Sequence, residues 1–207
     1  MWSVLLGRGF VHPADEMTAR HTTSHPELLA WLSRDFADHG YDVRRLIRGI
    51  VLSRVYSLGF GKAPPESFAA ALERPLSAEQ LARSWRVVAG LPPEDDAFRH
   101  AVTAKFPDVV PRENAANVQQ AQFLEYSPDL AAILRPEPGS TVARLAQVPD
   151  PSVRAREAFA AVLGREPDRE EARGMQTFLE AQAKRPVDGI RDGLWALMTS
   201  AEFLTMP

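Results

Sequence analysis

Along most of the chain apolar residues recur three and four positions apart, the period of an amphipathic helix, and strict apolar/polar alternation never lasts more than a few residues. The clearest stretch is SHPELLAWLSRDFADHGYDVRRLIRGIVLSRVYSLG, from Ser24 to Gly59. Leu28, Leu29, Leu32 and Phe36 predict one helix face, and Gly40 supplies a left-handed stop. Ser24 and Glu27 have the spacing of a capping box, with Pro26 tolerated in the first turn because its missing donor has no intrahelical partner there. Asp42 is placed to cap a second helix, whose apolar face is Val43, Leu46, Ile47, Ile50, Val51, Val55 and Leu58, with Gly59 as its expected end. A connection as short as His39 to Tyr41 makes the two an antiparallel hairpin.

Residues 60–75 read as a connector holding a short helix over Ser67 to Leu72. Ser77 and Gln80 form a second capping box. It opens a helix that turns Leu81, Trp85 and Val88 inward and stops at Gly90. Helices are expected over Glu94 to Lys105, Ala115 to Leu124, Pro128 to Leu134 with Ser127 as cap, and Thr141 to Gln147. Arg135-Pro136-Glu137-Pro138-Gly139 is the strongest breaker. The tail reads as three helices: Ser152 to Leu163, Asp168 to Lys184 and Val187 to Leu204. Val109 and Val110 are the only candidate strand residues. The expected fold is all-α, an irregular multi-helix bundle built from helical hairpins, with about nine or ten helices and no substantial sheet. The breaker divides it into a region 1–135, containing the hairpin of residues 25–58, and a three-helix tail 140–207 packed on it as one compact unit. An internal echo lays IRDGLWALMTSAEF, from Ile190, on VRRLIRGIVLSRVY, from Val43, and aligns Ser200 with Ser53.

Composition narrows the function classes. A chain of 207 residues has ample material for a hydrophobic core. The absence of cysteine removes disulfides, thiolate metal sites, haem attachment and thiol nucleophiles. A net charge of -3 with interspersed signs gives no basic stripe for a phosphate backbone, so nucleic acid is not expected as a partner. No apolar run approaches the roughly 20 residues that span a bilayer, and no export leader is read at the start. The opening Trp2, Val4, Leu5 and Leu6 read like the middle of a packed helix, so the chain is expected to begin inside a larger domain.

The residues of metal-ligating type cluster near the N-terminus: His12, Asp15, Glu16, His21, His25 and Glu27. His21 and His25 are four apart, but a helix that starts at Ser24 leaves His21 outside it. Turn and cap roles therefore account for the group. No metal and no cofactor is expected, and His12, Asp15 and His21 remain the residues to inspect. Arg54 falls near the middle of the second helix's apolar face, so a buried guanidinium paired with Asp35 or Asp15 is expected there. Arg44, Arg45 and Arg48 form a small basic face. Trp31, Trp85, Trp195, Phe36, Phe159 and Phe178 sit at core spacing. No serine lies in a nucleophile elbow, no phosphate-binding glycine loop follows a strand, and no catalytic residue is assigned.

GRGFVHPADEM, TSHPELLAWLSRDFADHGYDVRRLIRGIVLSRVYSL, RPLSAEQLARSWRVVAG, VLGREPDREEA and LWALMTSAEFL together resemble the C-terminal domain of unknown function, of the planctomycete PSD-one type, found in large exported proteins. The resemblance implies that the chain is the latter part of that domain and works in a periplasmic or cell-surface setting. It carries no catalytic residues over. The expected function is a non-catalytic helical interaction or scaffolding module whose partner is protein, the missing part of its own domain being one candidate. An apolar patch is expected near Trp2 to Leu6 or on a tail helix. The alternative is a hydrolase or carbohydrate-active enzyme using the segment from His12 to Glu27 and Arg54.

Overall fold

A computed structural model describes residues 1–14, 16–18, 21–106 and 118–206. The fold is all-α. Among the described residues the strand content is limited to two-residue pieces, Arg74–Pro75 and Thr205–Met206, and a bridge between Phe60 and Ala71. The chain divides into two compact units, residues 1–75 with Met206, and residues 76–205. The breaker at residues 135–139 lies within the second unit. Val109 and Val110 lie outside the described residues.

The first unit contains α1 (Trp2–Leu6), α2 (Pro26–Asp38), α3 (Val43–Val51) and a 3-10 turn, Pro65–Ser67. Gly7, at φ +80°, ends α1, and a Cβ there would meet the Arg74 Cγ at 3.0 Å. Arg74 Nη1 donates to the Leu5 carbonyl and so supplies one of the acceptors at the end of α1 with a cationic partner. Asp42 accepts from the Arg45 N–H at 3.1 Å and caps α3. The helix stops at Val51, not at Leu58 as its apolar spacing predicted. Its end has a local cause: the Ser53 N–H and Oγ both donate to the Ile50 carbonyl, at 3.0 and 2.5 Å, and take that acceptor out of the helical ladder. The connector's helical turn also falls earlier than expected, because Phe68 takes up a left-handed φ of +50° and closes it.

The second unit contains α4 (Ala78–Ala89), α5 (Asp96–Thr103), α6 (Val118–Tyr126), α7 (Pro128–Ile133), α8 (Thr141–Ala146), α9 (Pro151–Leu163), α10 (Arg169–Ala181), α11 (Pro186–Met198) and α12 (Ala201–Leu204). Its starts are written in side chains. Asp95, Ser127, Ser140, Asp150, Asp168 and Ser200 each accept a backbone N–H from the first turn of the helix they open. Ser77 Oγ accepts from the Gln80 N–H at 3.3 Å while Gln80 Oε1 accepts from the Ser77 N–H at 2.8 Å, the two halves of a capping box. The last predicted helix breaks in two, because Ser200 donates to the Leu197 carbonyl and caps α12.

The core of this unit is one continuous cluster. Trp85, Val102, Leu130, Val142, Leu145, Leu194 and Met198 have no measurable exposure, so α4, α5, α7, α8 and α11 share it. Complete burial of side chains this size contributes on the order of 2–3 kcal/mol each. Gly90 ends α4 at φ +81°, and a Cβ there would lie 2.9 Å from the Gly139 carbonyl. The breaker therefore passes directly over the end of α4, and Thr141 Oγ1 donates to the Val88 carbonyl at 2.5 Å. Arg154 of α9 is buried and donates through Nε to the Leu145 and Val148 carbonyls at 3.2 and 3.0 Å, so its charge is hydrogen-bonded to backbone at and just after the end of α8.

Candidate functional site

Within the first unit, α2 and α3 leave much of their facing sides open. No residue of α2 is buried, and Ile50 is the buried residue of α3. Between them lies a groove of about 580 Å³, lined by apolar side chains from α1 (Trp2), α2 (Leu28, Trp31, Leu32) and α3 (Leu46, Ile50), with Leu52 and Val55 following α3. Trp31 is 56% exposed and Leu52 73%. Trp31, at core spacing, was expected inside; with Leu52 it instead lines the groove in water. A second cavity of about 260 Å³ runs beside Trp2, Phe10, Val11, Leu29 and Phe36.

Trp2 is held in place by aromatic packing. Trp2 stacks on Phe10 with ring centres 4.4 Å apart and meets Phe68 edge-on at 5.5 Å, while His25 lies 5.6 Å from Phe68. The Trp2 Nε1 is buried and has no acceptor among the described residues, although a buried indole N–H ordinarily finds one.

The polar side of the groove is one ion pair, one extra cation and the Ser53 hydroxyl. Both Asp35 oxygens receive the Arg45 guanidinium, Oδ1 from Nη2 at 3.1 Å and Oδ2 from Nη1. The Arg45 hydrogen bond holds the Asp35 carboxyl below the usual carboxylate range against desolvation, and the charges of Arg45 and His39 add to the lowering. Arg48 also lines the groove, is exposed, and has no carboxylate partner among the described residues.

Several sequence expectations land elsewhere. Arg54 is exposed in the turn after α3, not buried, because the helical wheel that placed it on the apolar face assumed a helix running past Val51. Asp35, its expected partner, is taken by Arg45. Ser24 does not cap α2: its N–H and Oγ both donate to the Phe10 carbonyl, at 2.8 and 3.2 Å, and His25 is the N-cap, with no side chain capping the helix. Glu27 is exposed in the first turn without the reciprocal bond to Ser24. The signal for the later start was Pro26, whose preferred place is the first helical position.

His12 is exposed, and His21 pairs with Glu16 at 3.5 Å and lies 3.2 Å from Thr18 Oγ1. Asp15 lies outside the described residues. Neither cavity is lined by His12, His21 or Arg54. Among the described residues no group of three or more His, Asp or Glu side chains is placed to hold a metal ion. No described helix is long and apolar enough to cross a membrane.

Sequence reasoning also missed the cluster around Arg165 in the second unit. Its guanidinium donates to both oxygens of Glu171, each at 2.7 Å, and to both of Glu202, each at 2.6 Å. This joins the start of α10 to α12 and has the geometry of a structural clamp.

A family model described as PSD1, protein of unknown function (DUF1553), matches residues 1–100, which include the whole hairpin and groove. No curated protein and no solved structure matches the chain.

Proposed function

We propose that the chain is a non-catalytic helical interaction module of a larger exported protein, and that the groove between α2 and α3 receives a protein segment. The observation that carries this reading is the pairing of a 580 Å³ apolar groove with a lining tryptophan that is 56% exposed. Burying apolar surface stabilises by roughly 25 cal/mol per Å², which is what a partner covering the groove would gain. The groove's polar side chains are the Asp35–Arg45 pair, Arg48 and Ser53, whose hydroxyl donates to the Ile50 carbonyl, and their charges are suited to orienting a partner. The match of residues 1–100 to the PSD1 family supports placing the module among the exported proteins that the sequence resembles.

Site-specific photo-crosslinking tests the reading. A benzophenone side chain at position 31 should form protein adducts in the exported fraction of a cell that makes the chain, and Leu52→Asp should abolish them. Adducts that never form, or that persist unchanged in Leu52→Asp, would overturn it.

A further inference from the structure

The α3 side of the groove carries a charge opposite to that of the chain as a whole. The chain has a net charge of -3, yet from Val43 to Lys62 it holds five cations, Arg44, Arg45, Arg48, Arg54 and Lys62, and no acidic residue. Among the described residues only Arg45 of these has a carboxylate partner, Asp35. Arg44 and Arg48 sit one turn apart on α3, and both are exposed. Like charges at that spacing repel, a cost that an anion alongside would remove. Arg48 lines the groove itself, together with the exposed Trp31 and Leu52.

The groove is also lined by a glycine in the interior of α3 that no neighbour explains. Glycine weakens a helix relative to alanine, and a Cβ at Gly49 would meet nothing within 4 Å outside its own helix. In α11 the glycines are accounted for. A Cβ at Gly189 would meet the Gln182 Cβ at 2.6 Å, and one at Gly193 the Met175 Sδ at 3.1 Å, where α10 and its end pack close. Gly174 of α10 is likewise without a neighbour, but it lines neither cavity. At Gly49 bare backbone opens on the groove, with room for another helix to approach α3 as closely as α10 approaches α11.

The walls decide what backbone the occupant can have. On α2 the lining runs from Leu28 to Asp35, two turns or about 10 Å. No strand lines the groove, and its helical walls spend their peptide groups in their own ladders, so an extended segment would find no row of backbone partners. A helix satisfies its own backbone.

We propose that the partner segment is an acidic amphipathic helix that crosses α3 at Gly49. Its apolar face covers Trp31 and Leu52, a small residue lies over Gly49, and carboxylates on its flank meet Arg48 and Arg44. The inference rests on the interaction reading and names the partner's chemistry.

The test lets the groove choose. A phage-displayed library of random segments of about 15 residues, long enough to form a helix, is selected on the full chain. The enriched segments should read as amphipathic helices with Asp or Glu beside the apolar stripe. A synthetic peptide of one such segment should bind Arg48→Glu and Gly49→Gln at least about tenfold more weakly than the unsubstituted chain. Gly49→Gln should melt no lower than the unsubstituted chain, since glutamine is the better helix former. The same peptide with lysine in place of its acids should prefer Arg48→Glu. Enrichment of neutral, basic or proline-broken segments, no enrichment at all, or equal binding to the two variants overturns the proposal. If adducts form at position 31 while no acidic helix is selected, the interaction reading stands and the acidic helix fails. If acidic helices are selected and depend on Arg48 and Gly49 while no adducts form in cells, the preference of the groove stands and the interaction reading fails.

Discussion

The Trp85 indole N–H donates to the Met198 carbonyl at 3.0 Å, from a side chain with no exposure. This bond closes the end of α11 against α4 across 113 residues of sequence, and it satisfies a carbonyl that a helix end leaves open. Phe98, Phe106 and Phe123 surround the same ring with centres 6.0 to 6.4 Å away. Trp85→Phe should therefore cost about 1–3 kcal/mol by orphaning the Met198 carbonyl. Trp85→Ala should cost about 3–5 kcal/mol by adding a cavity. Urea unfolding of the two variants checks the order; equal costs would mean that the cavity adds nothing beyond the lost hydrogen bond.

Gly90 resists a side chain on two counts. At φ +81° any L-residue is strained by about 1–2 kcal/mol, and here the added Cβ also meets backbone, with the Gly139 carbonyl at 2.9 Å and the Thr141 nitrogen at 3.0 Å. Gly164→Ala provides the comparison, since it shares the left-handed φ but has open space around it. Gly90→Ala should lower the melting temperature clearly more than Gly164→Ala does. Equal shifts would show that dihedral strain alone sets the cost at both sites.

Two serines that look alike in sequence should behave differently. Ser77→Ala removes a working cap and should cost about 1 kcal/mol. Ser24→Ala removes a 3.2 Å hydroxyl bond to the Phe10 carbonyl, which the Ser24 N–H still holds at 2.8 Å, and a 3.1 Å hydroxyl contact with His25 Nδ1 on a half-exposed surface, and should cost less than about 1 kcal/mol. Hydrogen exchange at the first turns of α2 and α4 reads each effect locally. Fraying of α2 in Ser24→Ala equal to that of α4 in Ser77→Ala would restore Ser24 as a cap.

The contrast explains which parts of the fold were legible. Caps and stops made of neighbours in sequence could be read, as Ser77 with Gln80, Asp42 and Gly90 illustrate. Where a residue had two local options the pattern did not choose between them: Ser24 could cap a helix or hold a loop, and the Phe10 carbonyl, 14 residues away, decided it. Arg54 fails for a related reason. Apolar spacing continued through Val55 and Leu58, but Ser53 ended the helix, and Arg54 in the turn that follows is exposed. The groove was only half legible. An apolar patch near Trp2 was expected, yet the exposure of Trp31 depends on what does not cover α2, and no periodicity reports that.

The Arg165 clamp makes the second unit sensitive to acid. Hydrogen bonds from Arg165, helped by the Asp168 N–H, hold the Glu171 carboxyl well below its ordinary 4.5, at about 2, and the same guanidinium lowers Glu202. A folded-state value below the unfolded one means that the stabilisation is full above about pH 4.5. It is lost as pH falls through the folded-state value. For Glu171 the window therefore runs from about pH 4.5 down to about 2. Arg165→Met removes the common partner, so both carboxyls should return toward their ordinary range and the variant's melting temperature should fall less steeply across that window. At neutral pH the variant should be the less stable protein, and near pH 2 the two should converge. Carboxyl titration by NMR checks the cause directly: Glu171 titrating near its ordinary value in the unsubstituted chain would remove the clamp from the explanation.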